Sequence, residues 1–217
     1  MENLTIALSG VAETAKKGMV RGNRETRIPE ILEAAINVFA SAGNSGFTQR
    51  AVAAAANIRL ATLQHYFGSR DVLLKATIEA LAQRYLRRFN ELGEDTRLTP
   101  EARLHAVLDE TFNALNRSSN LLSPFALECW CLAEHHPAMR EVMEDVSVKY
   151  QTLFSSLVSQ INPDLPTQEC RIRGALIYSH WQGLIVFLRR SGSHAPDLPA
   201  FRKATGVLWN ALGKTTS

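Results

Sequence analysis

Apolar residues recur along almost the whole chain with the period of an α-helix, and the alternation of a half-buried strand is hard to find. Ile28, Leu32, Ala35 and Phe39 form one such stripe, with Ile31 and Ile36 widening it. A chain patterned in this way must bury helix against helix, which predicts an all-α fold. The breakers divide it into nine helices, at about 25–42, 48–55, 60–67, 69–91, 100–116, 124–134, 137–161, 167–190 and 198–212. Thr48, Ser69, Thr99 and Thr167 are expected N-caps, and Pro29, Pro100, Pro124 and Pro137 suit first turns. Gly43 and Gly46 are expected to bracket a loop, Asn57 to take a left-handed turn, and Gly213 to end the last helix.

The 217 residues allow one large domain or two small ones, and a hydrophobic share of 46% is enough for a core. The net charge of +3 is too mild to indicate a polyanionic partner. Its placement is more informative. Residues 1–90 hold 12 Lys and Arg against 7 acids, a net of +5, whereas residues 91–217 hold 12 against 14, a net of −2. Residues 1–24, with Lys16, Lys17, Arg21 and Arg24, are expected to form a mobile basic tail. Three cysteines do not make a disulfide scaffold, and neither a signal peptide nor a membrane-spanning run is evident. The expectation is a cytoplasmic protein without a membrane partner.

Residues 48–67 read TQRAVAAAANIRLATLQHYF. Val52, Ala53 and Ala56 would face inward from the first short helix, and Leu63 and Phe67 from the second. Two short helices at a sharp turn, supported by a longer one before them, make a helix-turn-helix, whose second helix enters the major groove of double-stranded DNA. Candidate DNA contacts follow from side-chain chemistry. Thr48, Gln49 and Arg50 start the first helix, where backbone N–H groups favour a phosphate. Arg59, Leu60, Ala61, Thr62 and Gln64 line the entry end and flank of the second. Arg suits guanine, Gln suits adenine, and small apolar groups suit the thymine methyl. His65, Tyr66 and Arg70 are expected on the DNA backbone.

ILEAAINVFASAG at 31–43, FTQRAVAAAANI at 47–58 and ATLQHYFGSRDVLL at 61–74 resemble the N-terminal domain of the TetR/AcrR family of transcriptional regulators. Arg59 stands where that family usually has a capping Ser, Gln64 where it has Tyr, and Asn57 where it has Gly at the turn. The first two changes alter the reading surface. The resemblance implies a DNA-binding domain at 25–75 and an effector-binding and dimerisation domain at 76–217. It further implies a homodimer, most often a repressor, that a small molecule releases from a palindromic operator by shifting the helix at 69–91.

The rear half offers residues for both tasks. Ile177, Leu184, Leu188, Val207, Leu208 and Leu212, on two apolar helices, could pair with their copies in a four-helix bundle. Phe112, Phe125, Glu128, Trp130, Glu134, Tyr178 and Trp181 could line an effector cavity, with Trp130 and a nearby carboxylate suited to an organic cation. Ser123–Pro137 and Tyr178–Leu188 resemble the choline-responsive repressor branch of the family. Cys129, Cys131, His135 and His136 lack the spacing of a zinc site, and neither a metal nor another cofactor is expected. No ordered catalytic motif occurs. A DNA binder without an effector, and a helical enzyme using Glu128, His135 and His180, remain open alternatives.

Overall fold

The computed structural model describes residues 24–116 and 121–215. Among them are nine α-helices: α1 (Arg24–Gly46), α2 (Gln49–Ala55), α3 (Leu60–Phe67), α4 (Arg70–Gly93), α5 (Pro100–Asn116), α6 (Leu122–His135), α7 (Pro137–Ile161), α8 (Thr167–Arg190) and α9 (Leu198–Lys214). A 3-10 turn at Gly192–His194 precedes α9. No helix among the described residues is long and apolar enough to cross a membrane. Apart from Arg24, the basic tail expected at 1–24 lies outside the described residues.

Local chemistry sets several helix starts. Thr48, Ser69 and Thr99 accept from the N–H groups of Ala51, Val72 and Ala102, which α2, α4 and α5 would otherwise leave unsatisfied. Thr167 is no such cap: it is the first residue of α8, behind Pro166, and makes no capping bond. Pro29 lies inside α1, beyond the first turn in which it was expected, because the helix begins at Arg24. Nor do Gly43 and Gly46 bracket a free loop. Helical structure resumes after a break at Gly43, where φ is +62°. Asn57 takes the expected left-handed conformation, with φ of 52°.

Two cores result. The rear core joins α4, α5, α7, α8 and α9 around Phe89, Phe154, Trp181 and Trp209. Gly174 allows α8 to lie against α7, since a Cβ there would stand 2.6 Å from the backbone nitrogen of Ser155. Buried Arg173 donates to the carbonyls of Leu212 and Thr215, satisfying the negative end of α9. The front core gathers Ile31, Ile36 and Phe39 of α1, Val52, Leu63, Phe67 and Leu73. It does not close on itself. Phe125, Cys129 and Leu132 of α6 and Met139 and Val142 of α7 complete it, with Phe125 edge-on to Phe39 at 5.1 Å.

Candidate nucleic-acid interface and effector cavity

Buried Val52, Ala53, Leu63 and Phe67 hold α2 and α3 against α1 and α4, so their other faces meet solvent. Thr48, Arg50, Arg59, Ala61, Gln64 and His65 are exposed, and Gln49, Leu60, Thr62 and Tyr66 are half-buried. Arg59 precedes α3 without making a capping bond. Gln49 Nε2 donates to the carbonyl of Gly68 at 3.4 Å, and Gln64 Nε2 donates to Gln49 Oε1 at 3.5 Å. These long bonds link the two amides across the helix pair.

Arg70 departs from the expectation. Its guanidinium turns inward, over the Phe47 ring at 5.8 Å. Nε donates to the carbonyl of Phe47 at 2.8 Å, and Nη2 to the carbonyl and Oδ1 of Asn44 at 2.7 and 2.5 Å. Nη1 lies 3.6 Å from Asp71. These donors brace the corner between α1 and α2, so the guanidinium is largely committed to the head's own backbone, with the side chain 35% exposed. A lone Arg beside a helix start reads in sequence as a cation for phosphate. Only the fold brings carbonyls 23 and 26 residues away to it.

A cavity of about 60 Å³ lies between α4, α6, α7 and α8. Phe125, Trp130, Tyr178 and Trp181 line it. Phe112 does not: it packs against Phe201 at 6.2 Å. The two carboxylates are also elsewhere. Glu134 is exposed, and Glu128 Oε2 accepts from the Asn44 N–H at 2.9 Å. The expected pairing of Trp130 with a carboxylate is thereby corrected. Missed in sequence were Ile78, Leu81, Ala82 and Tyr85 of α4 and Tyr150 of α7. The i, i+3, i+4, i+7 spacing of the α4 set was the available signal.

Tyr150, Tyr178 and Trp181 stack nearly parallel in the cavity wall, with centroids 4.9 to 5.8 Å apart. Burial pushes both phenols above the usual tyrosine range, which keeps them neutral. An outer groove of about 330 Å³ between α4 and α7 shares Ala82 and Val146 with the cavity. Its rim carries Lys75, Glu79, Glu141, Asp145 and Lys149.

The expected dimer residues divide. Ile177 and Leu184 are corrected: they are buried in the rear core, and Leu188 and Leu212 pack partly against it. Val207 and Leu208 stay exposed, as do Ile172, Leu176 and Phe187 on the same two helices. Both stripes of α8 are apolar, so periodicity alone does not tell inside from outside. Cys129 and Cys170 are buried and Cys131 is exposed. Among the described residues no three His, Cys, Asp or Glu side chains group as metal ligands.

Residues 31–77 match the family described as "Bacterial regulatory proteins, tetR family". The chain is 30% identical over 153 residues to the HTH-type transcriptional regulator BetI of Burkholderia thailandensis, covering 69% of this chain and 75% of that one. It is 27% identical over 187 residues to BetI of Paraburkholderia xenovorans, covering 86% and 94%. A TetR transcription regulator from Haloarcula marismortui superposes with a TM-score of 0.72 at 17% identity, over 86% of this chain and 98% of that one. These relatives are transcriptional regulators, not enzymes. With its exposed α2–α3 surface and this likeness running through head and rear helices alike, the chain belongs to the TetR family of DNA-binding transcriptional regulators.

Proposed function

We propose that the chain acts in the cytoplasm as a homodimeric repressor, released from a near-palindromic operator when a small molecule occupies the rear cavity. One observation carries the reading. A single helix, α4, places Leu73 and Leu74 in the front core and Ile78, Leu81 and Tyr85 on the cavity wall. Anything that widens the cavity pushes on the helix that supports α3. At about 60 Å³ the cavity is far smaller than an ordinary small-molecule site, so an effector is expected to widen it. The outer groove supports entry between α4 and α7.

The exposed stripe of Ile172, Leu176 and Phe187 on α8, beside Val207 and Leu208 on α9, supports a symmetric four-helix interface. Two recognition helices would then stand about 34–36 Å apart, one DNA turn. A head at 25–75 and a rear unit at 76–217 remain the useful division, although they share the front core. The enzyme reading loses its residues: Glu128 bonds Asn44, His135 is exposed, and His180 accepts from Trp209.

Selection of bound sequences from random DNA by the purified chain tests the proposal, together with light scattering of the complex. The expected result is an inverted repeat bound by two chains. Phe187→Glu should leave a folded monomer that binds the repeat weakly. A single half-site bound by one chain would refute the dimeric reading. A compound library screened against the selected site tests release.

A further inference from the structure

The corner between α1 and α2 is held from the rear unit. At Gly43 the backbone turns left-handed, and the next N–H, of Asn44, leaves the helix and donates to Glu128 Oε2 at 2.9 Å. Glu128 belongs to α6, 84 residues along the chain. The positive φ favours glycine at position 43, and a Cβ there would stand 3.0 Å from that carboxylate, tight against it. From Asn44 the connections continue. Its carbonyl and Oδ1 accept from Arg70 Nη2, and Arg70 Nε donates to the carbonyl of Phe47. Phe47 directly precedes Thr48, the N-cap of α2. One chain of charge-assisted bonds thus runs from α6 to the first residues of α4 and α2.

The same two turns of α6 face the cavity. Phe125, Ala126, Cys129 and Trp130 line it, while Glu128 points away toward Asn44. A rigid helix with a cavity wall on one side and a carboxylate grip on the other transmits displacement directly.

We propose that Glu128 is a positioning residue for DNA binding, acting through Asn44 and Arg70, and that it carries the state of the rear cavity to the head by a route separate from α4. This rests on the regulator reading above. The Glu128–Asn44 bond sets the angle at which α2 and α3 leave α1. When α6 is displaced outward the bond lengthens, and the corner relaxes away from its DNA-competent geometry.

The test needs no effector, because a larger side chain at Ala126 fills the cavity in its place. Operator selected by the wild-type full-length chain is the probe. Glu128→Gln keeps an acceptor and should bind within about threefold of wild type, whereas Glu128→Ala should lose about tenfold or more. Ala126→Leu should weaken binding in the wild-type background and have a smaller effect beside Glu128→Ala, where only the α4 route remains. Amide exchange at Asn44 should accelerate in Glu128→Ala alone of the two Glu128 variants. Should Glu128→Ala fail to fold, Glu128→Asp, which withdraws the carboxylate by one methylene, takes its place with the same expectations.

The proposal is overturned if Glu128→Ala binds like wild type, if Glu128→Gln loses as much as Glu128→Ala, or if Ala126→Leu acts equally in both backgrounds. Absence of any selected operator would count against the regulator reading and the clamp together. Wild-type binding left unchanged by Glu128→Ala counts against the clamp alone.

Discussion

Trp181 donates its indole N–H to Thr111 Oγ1 at 3.0 Å, deep in the rear core. The same hydroxyl donates to the carbonyl of Val107 at 2.9 Å, so its lone pair is aimed at the indole. This bond fixes the ring that backs the aromatic stack. Thr111→Val keeps the shape and removes the acceptor, leaving a buried donor unmet. The expected cost is about 1–3 kcal/mol of unfolding free energy, with Thr111→Ser close to wild type. Urea denaturation measures it, and an unchanged midpoint for the valine variant would contradict the assignment.

Arg50 and Arg70 should differ in how salt affects their loss. Exposed Arg50 can reach phosphate, so Arg50→Ala should lower the slope of log affinity against log salt by about 1. Arg70 is engaged with Asn44 and Phe47, so Arg70→Ala should weaken binding with the slope unchanged. Titrations across a salt series decide between the roles. A reduced slope for Arg70→Ala would return it to the DNA backbone.

Gln64, exposed on α3, should read a base. Its amide presents a donor and an acceptor, the pattern that adenine matches in the major groove. Gln64→Ala should relax preference at one position per half-site by about 1–3 kcal/mol, leaving other positions intact. Sequencing of selected sites gives the answer, and uniform weakening over all positions would disprove base reading.

His180 accepts from the Trp209 indole through Nδ1 at 3.0 Å, and burial holds its pKa below the ordinary 6.5. The folded protein therefore resists a proton that the unfolded chain takes up. Stability from this group is complete above 6.5 and declines as pH falls through 6.5 toward the lowered folded value. Replacing it by Asn should flatten that part of the profile. Denaturation midpoints at pH 8 and pH 5 provide the comparison: an equal acid loss in both proteins would show that His180 does not contribute.

Helix starts at Thr48, Ser69 and Thr99 were legible because a cap acts over three residues. The turn at Asn57 was legible for a similar reason: its conformation is a property of one residue. The candidate DNA surface was proposed from the same local chemistry. The roles of Arg70 and Glu128 were not, since each is set by partners 23 to 84 residues away. Ile177 and Leu184 failed as dimer residues because α8 is apolar on two sides, and only packing against α7 and α9 shows which side is spent internally.

Phe125, Cys129 and Leu132 fill the interior beneath the DNA-reading helices, so that interior is borrowed. An excised head would expose Phe39 and Ile36 to water and lack the side chains that finish its packing. The whole chain should therefore melt in one transition rather than two. A chimera that grafts this head onto a foreign sensor would inherit the same debt: the donor must bring its own aromatic to the place of Phe125. In this protein, the DNA-binding head and the rear unit cannot be exchanged as separate modules.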